Sequence, residues 1–391
     1  MELRYVRAIL IFFLSLLSCS SLQFNIRKEE KGVRVDLRLI WQKRLVKKYR
    51  SVYSPYEGSK ATISKRFEQI FIGSSNKYLY NISLKTGKVN WRFKTEGAVR
   101  SEPLLLEESS LLIFGDDEGI LYCLRIDKDS YKKLWSISLG YEIRQKPLFS
   151  EDTLFVKNEN DELFSINLKD GKILWHYKLK RRPEVTTTIS SGILSVGDQL
   201  ITGFSDGSVI SFNKFTGDIN WKVELSSYVK RRFSFITSKF NQPMFDIATT
   251  PVLVDDTVWV ASIEAGLVSI DPDSGELLWR RGGIKRITSI TKDGGFLYLI
   301  KAGYGVICMN REGVILWKKK LEPGLFTKPE IYKGLLIISN RTGSLWILKK
   351  IDGKILLKLF SSYGFSPPKL FKNHLIVLGE RGTLMNFQLI F

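Results

Sequence analysis

Four stretches share one pattern: LYNISLKTGKVNW at 79–91, LFSINLKDGKILW at 163–175, VISFNKFTGDINW at 209–221 and LVSIDPDSGELLW at 267–279. Each reads as a strand, a turn built on a glycine, and a second strand ending in tryptophan. Weaker copies end at Trp135 and Trp317, and one ending at Leu357 keeps Asp352-Gly353-Lys354 but lacks the tryptophan. The end points recur about every 40–45 residues, with one interval of about 58, which is the period of a four-stranded propeller blade. Within a unit, 103–106, 111–114, 120–124 and 133–135 read as four successive strands from the inside outward. Gly87, Gly171, Gly217, Gly275 and Gly353 fall where the last hairpin turns, a place that favours positive φ. The repeated tryptophan is expected to fill the wedge between neighbouring blades, burying roughly 150–250 Å² each time. As equivalent sites on different units, these tryptophans cannot all stack on one cofactor.

The two ends of the chain complete the count. Residues 368–389 supply three strands and no fourth, whereas 38–41, near the start, supply an outer strand with its own tryptophan, Trp41. Pairing them makes eight blades and removes the exposed sheet edges. The expected fold is therefore all-β: one eight-bladed propeller over 36–391, with nothing that reads as a second domain. Cys123 and Cys308 take the position held elsewhere by Asn81, Ser165, Ser211 and Ser269, four blades apart in a ring of eight. At that separation they cannot form a disulfide, and both are expected to be free, small and buried.

Ahead of the propeller, Arg4 and Arg7 precede an apolar run at 8–14 that continues to Leu17. That run is too short to span a bilayer and reads as a secretory signal, 1–18. Leu16-Leu17-Ser18-Cys19 resembles a bacterial lipobox, which implies cleavage before Cys19 and acylation of its thiol. Ser20 and Ser21 then favour sorting to the outer membrane, on its periplasmic side. Residues 19–35 are expected to form a flexible tether. The formal charge of +20 would suggest nucleic acid in a cytosolic protein. Behind an export signal it points instead to anionic lipid, cell-wall polymer or an acidic protein, and no nucleic-acid partner is expected.

Catalytic patterns are missing. Only His176 and His374 are present, and no Cys-x-x-Cys, P-loop or Trp-Asp pair occurs. Asp116, Asp117 and Glu118 sit at a tip between strands and read as a solvated turn. The unit resembles the pyrroloquinoline-quinone-type repeat shared by quinoprotein dehydrogenases and the BamB family of outer-membrane β-barrel assembly lipoproteins. The dehydrogenases carry adjacent cysteines beneath their quinone; none occur here, so no enzyme, no cofactor and no catalytic metal are expected. The BamB resemblance runs from the lipobox to the closing strands. It is clearest at Asp246-Ile-Ala-Thr-Thr-Pro251, after a long loop at 222–249, and at Leu179-Lys-Arg-Arg182-Pro-Glu184.

The resemblance implies a non-enzymatic scaffold that binds the periplasmic domains of a BamA-like barrel-inserting subunit, and nascent outer-membrane proteins. The chain itself would be monomeric within that complex. By position, Arg182 and Asp246 match the family's contact residues, with Leu179 and Arg181 beside Arg182. Arg181 stands where the family has an apolar residue, and Ala248 where it has a second acid. The long loop also sets Tyr228, Phe233, Phe235, Phe240 and Phe245 among Lys230, Arg231, Arg232 and Lys239, a mixture suited to recognition. The alternative reading is a periplasmic quinoprotein-like, ligand-binding or cell-wall-binding propeller lipoprotein.

Overall fold

The computed structural model describes residues 25–28, 35–46, 57–180, 183, 190–229 and 244–391. Eight antiparallel sheets form the blades of a propeller. Blade 1 runs through Thr62–Ser64, Gln69–Ser74, Tyr78–Ser83 and Val89–Lys94, from the axis outward. Blades 2 to 7 repeat this order and end in the outer strands Tyr131–Ser138, Ile173–Lys178, Ile219–Glu224, Leu277–Arg281, Ile315–Lys320 and Ile355–Phe360. Blade 8 takes three strands from the C-terminus, Lys369–Phe371, His374–Gly379 and Thr383–Ile390. Its fourth is Asp36–Arg44, paired from Asp36 opposite Ile390 to Arg44 opposite Thr383. Between adjacent blades lie eight clusters of buried apolar side chains, so the core is distributed around the ring.

One irregularity recurs in all eight outer strands. The register slips by a residue beside the tryptophan position: between Leu39 and Trp41, Lys133 and Trp135, and at the corresponding point of every other blade. A bulge bends and twists its strand, and here it turns the ring toward the following blade. Trp41, Trp135, Trp175 and Trp221 donate their indole N–H to the carbonyls of Leu84, Leu168, Lys214 and Pro272 in the next blade's last hairpin, at 2.7–3.0 Å. Each ring lies on that hairpin's glycine. A Cβ added at Gly171 would come within 2.8 Å of Trp135, and one at Gly217 within 2.7 Å of Trp175. The glycines are thus needed twice, for their positive φ and for the floor they give the neighbouring indole.

Where the next blade lacks that turn, the contact changes. Blade 2 has no glycine in its last hairpin, and Trp91 packs on Tyr131 with ring centres 4.8 Å apart. Trp279 turns edge-on to Trp259 at 4.7 Å, while the Arg281 guanidinium approaches Gly313 in its place.

Cys123 and Cys308 lie opposite Trp135 and Trp317 in the pairing of blades 2 and 6. Both are free and fully buried. Burial pushes the Cys123 thiol up to about 12 and Cys308 to about 11, so neither is a thiolate near neutrality.

The segment read as a tether is only in part outside the described residues. Within it, Asn25–Lys28 forms a fifth strand on blade 7, paired with Leu357 to Phe360. The exposed edge of an outer strand is a template for such addition, which sequence alone does not reveal in a short polar segment. The signal segment 1–18 and Cys19 lie outside the described residues.

Candidate functional site on the rim of blades 3 to 5

Successive strands alternate in direction, so the inter-blade connections and the second hairpin of every blade share one face. On that face the two connections singled out by sequence leave blades 3 and 4. Leu179 begins the first. Its side chain is 7% exposed and packs between blades with Phe155, Leu163, Leu200 and Phe204, and its amide donates to the Asp161 carbonyl. Arg181 and Arg182, which follow, lie outside the described residues.

Beneath this connection is a buried charge. In blades 1, 2 and 4 the second strand carries glycine opposite the leucine or valine that stands second in the third strand: Gly73, Gly115 and Gly203. An apolar residue of the following connection, Val99, Ile143 or Ile247, sits directly on that glycine. Blade 3 has Lys157 there instead. Its ammonium bonds the Gly203 carbonyl, stands 3.3 Å from Asp161 and lies over the Phe204 ring. Asp161 in turn accepts from the Ser205 hydroxyl. Burial pushes the Lys157 ammonium below the ordinary lysine value, against the pull of Asp161. Aligning the second strands by their register would have revealed this exchange from the sequence.

The second connection is anchored at both ends. A 3-10 turn, Leu225–Tyr228, holds the start, with Leu225 buried and its amide on the Gly207 carbonyl. Arg280 of blade 5 clamps the same point: its Nη1 donates to the Tyr228 carbonyl at 2.7 Å and its Nε to the Ala265 carbonyl at 2.9 Å. At the far end Phe245 covers Gly207, Ile247 covers Gly203, and Asp246 is 3% exposed, its carbonyl accepting from Ile263. Tyr228 and Met244, near the two ends of the connection, are exposed. The sequence brought Leu179 and Asp246 to this rim, but both side chains are turned into the ring. Arg280, to which the sequence pattern gives no special place, is a clamp.

The Thr-Thr-Pro run after Asp246 is structural. The Thr249 hydroxyl accepts from the Ala261 amide at 2.9 Å, and the Thr249 carbonyl accepts from Ser191 of blade 4 at 2.8 Å. Ser59 makes the same stitch from blade 1, accepting from Gly73 and donating to the Ser101 carbonyl.

Acidic tips on this face have local partners. Lys285 meets Glu264 at 2.9 Å, and Lys222 lies 3.8 Å from Asp206. Asp116 corrects the expectation of a solvated turn. It is fully buried and accepts from the amides of Gly97, Glu118 and Ile120 and from the Tyr122 hydroxyl. Glu118 in the same turn is exposed as expected, and Asp117, half-buried between them, pairs with Arg100 and Arg144. An aspartate that closes its own turn through backbone amides is buried by the turn itself.

A family model described as outer membrane protein assembly factor BamB matches residues 75–313, more than half of the chain. The chain belongs to the BamB family. BamB of Shewanella oneidensis is 24% identical over 342 residues, covering 83% of this chain and 84% of that protein. BamB of Yersinia pestis is 25% identical over 305 residues, covering 77% and 74%. In three dimensions the chain is similar to the crystal structure of BamB from Moraxella catarrhalis, with a TM-score of 0.71 and 18% identity over 90% of this chain and all of that one. The BamB match spans the rim just described, including both connections.

Proposed function

We propose that this protein is a non-enzymatic scaffold of the outer-membrane protein assembly machinery, binding the periplasmic domains of a BamA-like barrel-inserting subunit through the rim of blades 3 to 5. The observation that carries this reading is family membership over a match that contains that rim. The ends of the second connection support it: Leu225, Arg280 and Phe245 fix the points where it leaves and rejoins the rim, so those points need no ordering on binding. Cys19 is the acylated residue, tethering the propeller to the periplasmic side of the outer membrane. The protein acts as a monomer within that complex, with nascent barrel proteins as passing clients.

Arg181 and Arg182 are the residues to test. Leu179 and Asp246 serve the fold, so substituting them confounds folding with binding. Purification from gently solubilised envelopes, with mass spectrometry of what accompanies the chain, is the experiment. Recovery of the barrel-inserting subunit supports the proposal. Recovery of cell-wall polymer or a periplasmic dehydrogenase in its place would sink it.

A further inference from the structure

Among the described residues, six charged side chains meet on the propeller axis, and their charges do not cancel. Leading into each inner strand is a polar residue turned into the blade interface, among them Ser59, Ser101, Gln145 and Thr327. The next residue along extended chain points the opposite way, into the lumen: Lys60, Glu102, Lys146 and Lys328. Glu330 and Lys369, on the inner strands of blades 7 and 8, face the same space. Lys60 reaches Glu330 at 3.0 Å and Glu102 at 3.7 Å. The first of these joins blade 1 to blade 7 past blade 8, which only a contact through the lumen can do. Lys146 meets Glu102 at 3.1 Å and Lys369 meets Glu330 at 3.2 Å.

Four lysines therefore face two carboxylates, a surplus of two positive charges. Lys328 joins none of these four ion pairs and stays open to the lumen. Across the lumen the corresponding residues of blades 4 and 5 are neutral and small, Gly192 and Thr250, which leaves room on that side. The strands walling the lumen, together with the Lys60 ammonium, hold Lys328 below the ordinary lysine value. A cation kept beside like charge is stabilised by an anion that touches all of them.

We propose that this lumen binds a small soluble anion bearing phosphate groups with a charge of two or more, seated on Lys328, Lys60 and Lys146. Lysine ammoniums are point-charge phosphate ligands, and no arginine takes part in the ion pairs that join Lys60, Lys146 and Lys369 to Glu102 and Glu330. The inference stands apart from the partner-binding reading, because it concerns the axis and not the rim of blades 3 to 5.

The test is titration of inorganic pyrophosphate into the mature chain, followed by calorimetry and by thermal unfolding, with sodium chloride at matched ionic strength alongside. A saturable rise in melting temperature, absent with chloride, is the expected result. Lys328→Gln should raise the melting temperature of the ligand-free protein by removing like-charge repulsion, and weaken pyrophosphate at least about tenfold. Lys354→Gln, on an outer hairpin, should leave both quantities at their wild-type values. The site is overturned by an equal effect of chloride, by an unsaturable response, or by unchanged affinity in Lys328→Gln.

Discussion

Glu57 shows how a single buried acid reports on the ring. Its carboxylate accepts from the Ser74 hydroxyl at 3.0 Å and from the Ser75 amide at 2.9 Å, and the residue is almost fully buried. Burial raises its pKa above the ordinary 4.5, outweighing those hydrogen bonds. The folded chain then keeps this proton to a higher pH than the unfolded chain does. The stability that follows is fully present below the unfolded value and is lost as pH rises through the folded one. Urea unfolding of wild type against Glu57→Gln should show the wild type losing stability relative to the variant as pH rises above about 4.5. A difference that stays constant from pH 4 to pH 8 would contradict this account. Lys157 is the basic counterpart, a buried charge retained where three other blades have glycine. The exchange of glycine for Lys157 is visible once the second strands are aligned, but the burial of neither residue is, because their neighbours come from connections whose paths are set by the ring.

At the scale of the element, the outer hairpin was almost wholly legible. The Thr-Gly or Asp-Gly turn and the terminal tryptophan fixed the blade boundaries, and the strands begin and end within a few residues of where alternation put them. What the pattern could not give was the direction of the lock, from one blade's tryptophan to the next blade's glycine, because that depends on a bulge repeated in every outer strand. The two requirements on the glycine can be separated. Gly197 has positive φ with open space where a Cβ would stand, whereas Gly171 has positive φ and the Trp135 ring within 2.8 Å of an added Cβ. Gly197→Ala should cost about 1 kcal/mol from backbone strain alone. Gly171→Ala should cost about 3 kcal/mol, since overpacking adds about 1–3 kcal/mol. Chemical denaturation of the two variants checks this, and equal losses would mean that the indole does not rest on the turn.

For the whole molecule, the eight-bladed all-β architecture and the separation of the two cysteines followed from counting repeats. The closing sheet joins residues from opposite ends of the chain, Asp36–Arg44 with Thr383–Ile390, and holds apolar residues of both in one cluster, Leu37 with Phe387 and Leu389. Removing residues 384–391 should therefore unpair the N-terminal strand as well and lower the melting temperature by well over about 5 °C. An unchanged midpoint would mean that the ring is held elsewhere. The rim was less legible than the ring. The sequence located the two connections, but two of its four contact residues, Leu179 and Asp246, are buried, because a connection must first anchor itself to the blades it joins. Arg181 and Arg182 carry the claim that remains, that this rim holds the barrel-inserting subunit. Its most direct test is the affinity of the purified mature chain for that subunit's periplasmic domains, measured by calorimetry for wild type and for Arg181→Glu with Arg182→Glu, with circular dichroism confirming equal folding. Loss of interface charge contacts at about 2–5 kcal/mol predicts binding weakened roughly thirtyfold or more, and equal affinity of the two proteins would contradict the account.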